Sequence, residues 1–233
     1  MSRYLLIERD FRKTTAEHTL EVVLDNGLHR HLRFRKPGTS VYGFDIVTWP
    51  GHLAVSGDMG AAVFTRLADM FEFFRHDLRP GEAPDVLHIN ASYWAEKCVA
   101  NDGEKMQFEQ HLLERVVRDT FDDYMQFQDA DANGFAAARD ELWQHIKNEV
   151  VESGDRDTRA ALERMDSFVP GQDGSASIPV YPERYDGWFS DFRFTDVWEY
   201  GRSCEDYTYH FISRLYAIAH AVKAYDAAKA GNP

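Results

Sequence analysis

Residues 129–141 read DADANGFAAARDE: Asp129, Asp131 and Asn133 stand at alternate positions, Gly134 follows at once, and acids return at Asp140 and Glu141. Hard oxygen donors at positions 1, 3 and 5, a glycine at 6 and a bidentate acid at 12 are the pattern of a calcium loop between two helices. Here position 12 is Asp140, a shorter arm than the usual Glu, and position 8 is Ala136 where a pairing aliphatic belongs. No second loop of this kind exists in the chain. The competing reading is a helix–loop–helix in which Asp and Asn side chains cap the second helix, where negative charge is favoured anyway. The capped turn is the expectation; Asp129, Asp131, Asn133 and Asp140 are the residues that would hold calcium.

Other chemistry-bearing residues are scattered. The doublet His76-Asp77, with His52 upstream and His88 downstream, is similar to the metal-holding residues of HD-type phosphohydrolases, which sit on helices. His52, however, is assigned to a turn beside a strand, and His88 lacks diagnostic spacing. The alternative for His76 is a helix end, whose negative pole suits a histidine. His52 and Asp58 bracket one strand and offer an acid–base pair at a sheet edge, or simply serve two turns with Pro50 and Gly51. Cys98 has no base near it in sequence and is expected as a small core residue. The sequence lacks GxSxG, HExxH, GxxxxGK[ST] and GxGxxG, the signatures of common hydrolase, nucleotide-binding and dehydrogenase mechanisms.

The elements that must position these residues change character along the chain. Residues 1–60 are expected to form an antiparallel meander of four or five strands. YLLIER (4–9) is the first, HTLEVVLDNGLHRHLRFR a hairpin, and FDIVTW and HLAVSGD two more strands joined by Trp49-Pro50-Gly51-His52, with the residues of a type II turn. A two-residue Asn-Gly loop would place Leu20, Val22 and Leu24 on the face of His29, His31 and Arg33. A three-residue Asp25-Asn26-Gly27 loop pairs Leu24 with Leu28 and Leu20 with Leu32, and is preferred. In that register Glu17 faces Arg35 and Glu21 faces His31, so HRHLRFRK is sheet stabilisation rather than a nucleic-acid patch.

Helices are expected over 65–75, over ASYWAEKCVA (91–100) after the N-cap Asn90, over 105–128 (Leu113, Val117, Phe121, Tyr124), from Phe135 to Val150, and over RDTRAALERM. Residues 167–190, rich in proline and glycine, form a long loop. The last helix carries Phe211, Leu215, Ile218, Val222 and Tyr225, with Ser203 and Asp206 at capping-box spacing. Its histidines, His210 and His220, are expected to be packed or exposed rather than ligands. The fold class is α+β: a meander sheet packed against a larger set of helices, one compact domain over 1–233, with 1–60 its β-rich part and 61–233 mainly helical.

With 233 residues, 44% hydrophobic and 14% aromatic, the chain can bury a full core. No apolar run reaches the roughly 20 residues of a membrane span, no signal-peptide run precedes the first charges, and the two cysteines form no disulfide framework. A soluble protein of a reducing cytoplasm is the expectation. The net charge is −13. Residues 1–60 carry 8 Lys+Arg against 7 Asp+Glu, 61–128 carry 7 against 13, and 129–233 carry 11 against 19. Such an acidic field repels nucleic acid and attracts basic surfaces.

WPGHLAVSGDMG, FTRLADMFEFFR, SYWAEK and the C-terminal DYTYHFISRLYAIAHAVKAYD together resemble a family of uncharacterised bacteriophage and prophage proteins, over residues 40–100 and 195–226. The resemblance brings no activity with it. It implies an accessory phage protein acting on a host cytoplasmic factor, in DNA processing or defence. On this basis the expectation is a binding protein, an acidic inhibitor or modulator of a host protein with a basic surface. It needs no cofactor and has neither a membrane nor a nucleic-acid partner. The alternative is a small metal-dependent phosphohydrolase acting on nucleotides or nucleic acid.

Overall fold

The computed structural model describes residues 3–83, 85–130, 134–171 and 189–231. Its helices and its six-stranded antiparallel sheet make an α+β protein, with one or two strands more than the meander expected. Where a single unit was expected, the chain divides into two: Met1–Lys105 with Tyr207–Pro233, and Met106–Asp206. The second unit is thus an insertion in the chain of the first.

The first unit opens with α1 (Arg3–Thr15), where a strand was expected over 4–9. Ile7, Phe11 and Thr15 are its buried positions, four apart, and Arg12 pairs with Glu8 one turn back at 2.7 Å. That is helical rather than alternating periodicity. The sheet follows as β1 (Thr19–Asn26), β2 (His29–Arg35), β3 (Phe44–Trp49), β4 (His52–Gly57) and β5 (Ala62–Thr65). After α2 (Met70–Phe74) and α3 (Ala91–Glu96) comes β6 (Cys98–Asn101), on the far edge beside β5. The helix expected over 65–75 is cut to five residues because β5 takes Thr65 and Asp69 caps from outside, accepting from the Phe71 amide at 2.9 Å. Asn90 caps α3 as expected, but the helix stops at Glu96 rather than at residue 100, because Cys98–Asn101 pairs with β5 as a strand.

The hairpin differs from the expected register. Asn26 pairs with His29, so the loop is Gly27-Leu28, with Gly27 at φ +63°. Leu20 meets Phe34, Val22 meets Leu32, and a bulge at Val23 lets Leu24 meet His31. The bulge absorbs the slip that a shorter loop imposes. Charge neighbours shift accordingly. Glu21 lies 3.5 Å from Arg33, Glu17 pairs with Lys36 at 2.7 Å, and Asp45 on β3 collects His31 at 3.1 Å and Arg33 at 3.3 Å. The basic stretch is therefore spoken for by the sheet, through different partners from those expected.

In the second unit, β7 (Met106–Phe108) pairs with β8 (Glu205–Tyr207). Between them lie α4 (Gln110–Met125), α5 (Phe135–Ile146) running into a π-helical turn at Lys147–Val151, α6 (Thr158–Ser167) and a 3₁₀ segment at Val197–Cys204. Leu113, Val117 and Phe121 of α4 are buried with Leu142, Ile146, Leu162 and Met165. Phe192 and Phe194 complete this core with ring centroids 5.0 Å apart, edge to face. Of the loop expected over 167–190, residues 172–188 lie outside the described residues.

The chain ends in α7 (Tyr209–Ala230). Its cap is Thr208, accepting from the Phe211 amide at 3.2 Å, not Ser203, which lies in the 3₁₀ segment. Phe211, Leu215, Ile218, Val222 and Tyr225 are buried as expected, and so are Ile212, Ser213, Arg214, Tyr216, Ala217 and Ala221. Burial on every side marks a central helix rather than an amphipathic one. It packs on β3, β4, α1, α2 and α3. The inner sheet face it shares carries Leu32, Phe34, Ile46, Leu53, Val55 and Phe64, each contributing about 1.5–3 kcal/mol on burial.

The distinctive GHLAVSGDMG belongs to this core. A Cβ on Gly57 (φ +152°) would stand 2.2 Å from the Gly43 carbonyl oxygen, and one on Gly60 (φ +80°) 2.6 Å from the Arg214 guanidinium. Arg214 is only 1% exposed. It donates to the carbonyls of Met59 (3.1 Å), Ala61 (3.4 Å) and Asp102 (3.3 Å). Burial pushes its pKa below the usual guanidinium value. The motif is a seat for a buried cation, held by backbone oxygens.

Candidate functional site

The two units differ first in charge. Counted over the sequence, the first carries 16 Lys+Arg and 16 Asp+Glu, and the second 10 and 23. The whole net charge of −13 therefore belongs to the inserted helical unit. Counting along the chain spreads it over two segments, because residues 61–105 of the first unit carry 5 Lys+Arg against 8 Asp+Glu, an excess that residues 1–60 and 207–233 offset.

On α4 the exposed acids are Glu114, Asp119, Asp122 and Asp123. Asp119, Asp122 and Asp123 are three and four apart and share one face, where like charges oppose the helix by about 0.2–0.5 kcal/mol per pair. Asp123 accepts from the Gln126 side-chain amide at 3.0 Å. Immediately beyond, Phe127 is 87% exposed, and Trp198 stands 58% exposed between Asp196 and Glu199. The signal available in sequence was DTFDDYMQF, whose Phe121, Tyr124 and Met125 face the core and whose acids therefore share the outer side.

The calcium-like loop lies in the same unit. Asp131 and Asn133 lie outside the described residues. Gly134, at φ +92°, is the N-cap of α5, without a side-chain cap, and its carbonyl already accepts from the Ala138 amide at 3.0 Å. Phe135, position 7 of the pattern, is the first residue of α5 and is buried. A calcium loop needs the carbonyl of position 7 for the ion, whereas here the helical ladder has begun. Asp140 pairs with Arg139 at 2.7 Å on the exposed face of α5. Among the described residues, no three His, Cys, Asp or Glu side chains converge to hold a metal ion.

In the first unit, His76 and His88 do come together, with rings stacked 4.2 Å apart and 17° from parallel. His76 Nε2 lies 2.9 Å from Glu82 Oε2. They border a cavity of about 170 Å³ that also touches the Arg75–Asp226 ion pair (2.8 Å) and Lys223, whose Nζ donates to the Val86 carbonyl at 3.2 Å. Burial, then the nearby His76 and Arg79, holds His88 below the usual imidazole pKa, and burial lowers Lys223 likewise. His76 follows the end of α2 rather than sitting on a helix, and parallel rings do not aim their nitrogens at a common point.

The remaining residues separate. His52 stacks flat on Trp49 at 4.9 Å, and its Nδ1 is 3.1 Å from the Pro50 carbonyl. Asp58 accepts from the Tyr42 amide at 2.7 Å. They stand at opposite ends of β4, about 20 Å apart for six residues of strand, so they form no acid–base pair. Burial raises the Cys98 thiol pKa, and Cys204, fully buried, is pushed up to about 11. Thiols so held are inert. His210 is exposed, and His220 packs edge-on against Phe34 at 5.3 Å and Phe11 at 5.8 Å. No protein-family model, curated protein or solved structure matches the chain.

Proposed function

We propose that this protein acts by binding, through the acidic surface of its helical unit, to a basic surface on a partner protein. The observation that carries this is the confinement of the entire net charge, −13, to the unit spanning Met106–Asp206. Acidity serving solubility alone has no reason to avoid the other unit. Acids left outward on α4 beside an exposed Phe127 oppose the helix they sit on, and a cationic partner removes that opposition. Such a surface steers association at low salt and loses it at high salt. It also repels nucleic acid and anionic lipid. The resemblance to phage and prophage proteins supplies the setting: a bacterial cytoplasm, with a host DNA-processing or defence factor as the partner and its nucleic-acid groove as the basic surface.

The test is capture from bacterial lysate on the full chain, washed at low and high salt, alongside the variants Asp119→Asn/Asp122→Asn/Asp123→Asn and Phe127→Ser. One stoichiometric partner is expected, released by salt, lost with the triple variant and weakened by the Phe127 change. A partner held equally by the triple variant overturns the reading. So does metal-dependent turnover of nucleotides with no partner retained, which would support the phosphohydrolase instead.

A further inference from the structure

A second cavity in the first unit, of about 330 Å³, is built from residues that the acidic surface does not use. Phe11 and Met59 contribute apolar surface, and Tyr42, Tyr209, His210 and Asp58 also line it. Phe11 comes from α1, Asp58 and Met59 from the GDMG turn, and Tyr209 and His210 from the first turn of α7. Among the described residues that line it there is no lysine or arginine, and the carboxylate of Asp58 is its one fixed charge.

Tyr42 is the informative residue. Its backbone sits at φ +56°, the left-handed region that side-chain-bearing residues avoid. The surrounding loop holds it there. Tyr42 N donates to Asp58 Oδ2 at 2.7 Å, Asp58 N to the Gly43 carbonyl at 3.1 Å, Gly43 N to the Ser40 carbonyl at 2.8 Å, and Val41 N to Thr39 Oγ1 at 3.1 Å. This strain secures no buried ring: Tyr42 is 47% exposed, and Tyr209 is exposed too. Strained backbone held by its surroundings to present a half-exposed ring beside a cavity is the arrangement of ligand clamps. Aromatic faces with one carboxylate and no cation complement a positive charge on an apolar body.

We propose that this pocket binds a small organic ammonium ion, its apolar body against Phe11 and Met59 and its charge met by the Tyr42 and Tyr209 rings and the Asp58 carboxylate. The test is an NMR titration of the full chain with tetramethylammonium and choline, against the carbon isostere of choline in which a quaternary carbon replaces the nitrogen. Both cations are expected to bind in the millimolar range, shifting the amides of residues 40–43, 58–60 and 209–213. The isostere should bind about fivefold or more weakly, the loss of one to two cation–π contacts. Tyr42→Gly relieves the left-handed backbone, so its melting temperature should hold or rise while choline binding falls by a similar factor; Tyr42→Phe should keep binding, and Asp58→Asn should weaken it. Equal binding of choline and its isostere, no shift with either cation, or undiminished binding by a folded Tyr42→Gly variant would overturn the proposal. The result is independent of the α4 acids, so Asp119→Asn/Asp122→Asn/Asp123→Asn should bind choline as the parent does.

Discussion

The two units use their charges in opposite ways. In the first, carboxylates tie together distant parts of the chain: Asp69 takes Arg30 (2.8 Å), Asp226 takes Arg75 (2.8 Å), Asp25 takes Lys229 (2.5 Å) and Asp45 takes His31 (3.1 Å). In the inserted unit, ion pairs among the described residues include local ones: Arg139 with Asp140, Arg159 with Glu163, Lys147 with Glu152 and Arg164 with Asp155. Its remaining acids outnumber its cations. The first unit is neutral and its ions link distant segments, whereas the inserted unit carries carboxylates in excess of its cations. This difference also explains why net charge along the sequence is a poor guide here, because the sequence interleaves what the fold sorts.

Four measurements would break or sharpen this contrast, each read by hydrogen exchange resolved over the two units. The largest effect is expected from Arg214→Met. Its volume is kept, but three carbonyls lose a charged donor inside the first unit, at about 3–5 kcal/mol of that unit's stability. A loss below about 1 kcal/mol would mean that water replaces the guanidinium and that the cation does not hold the fold.

Asp69→Asn comes second. It keeps an N-cap for α2 and removes the charge that faces Arg30 in a two-pronged pair (2.8 and 2.9 Å). Between the exposed and buried limits for ion pairs, about 1–3 kcal/mol is expected. The same pair sets an acid response. The Arg30 hydrogen bonds hold the Asp69 carboxyl below its ordinary value of 3.8, and Lys229 does the same for Asp25. A carboxyl whose folded pKa is depressed adds stability above the unfolded pKa and loses it as pH falls through the folded one. The first unit should therefore hold from neutrality down to about pH 4 and weaken below it, and Asp69→Asn should flatten that loss. An unchanged acid profile in the variant would remove Asp69 from the account.

Third, raising salt from low to physiological should stabilise the acidic unit by about 1 kcal/mol, as screening relieves like-charge pairs on its helices, and should leave the neutral unit within error. Equal responses would erase the contrast. Fourth, and smallest, calcium should leave the exchange of α4 and α5 unchanged beyond the effect of magnesium. A true site at a hundredfold excess over its dissociation constant would add about 2.7 kcal/mol, and a calcium-specific gain of that order would restore Asp129 and Asp140 as ligands despite the early start of α5.

Local chemistry was legible in the sequence. The Pro50-Gly51 turn, with Gly51 at φ +80°, the alternation on β3 and β4, the Asn90 cap and the stripe from Phe211 to Tyr225 were all readable, because turn residues, alternation and helical periodicity act over a few neighbours. The hairpin register was not, since the two-residue Gly27-Leu28 loop slips the pairing and a bulge at Val23 against β2 takes up that slip. Residues 4–9 lacked a decisive period and became helix through the burial of Ile7 and Phe11. The acidic site was legible in composition but not in location.

The sequence by itself determined the class of fold, most of the helices after the sheet, the central strands and an excess of carboxylates, because each follows from residue type and short-range spacing. Only the tertiary structure decided that α7 rejoins the sheet across an inserted unit, which assigns its basic residues to the first unit rather than to the acidic segment that precedes it. Only it decided that Arg214 sits among carbonyls under Gly60, that His76 lies on His88, and that Tyr42 is strained above a cavity. Each of these brings together residues far apart in the chain, and no local preference encodes such a meeting; the free energy of burying the shared core does.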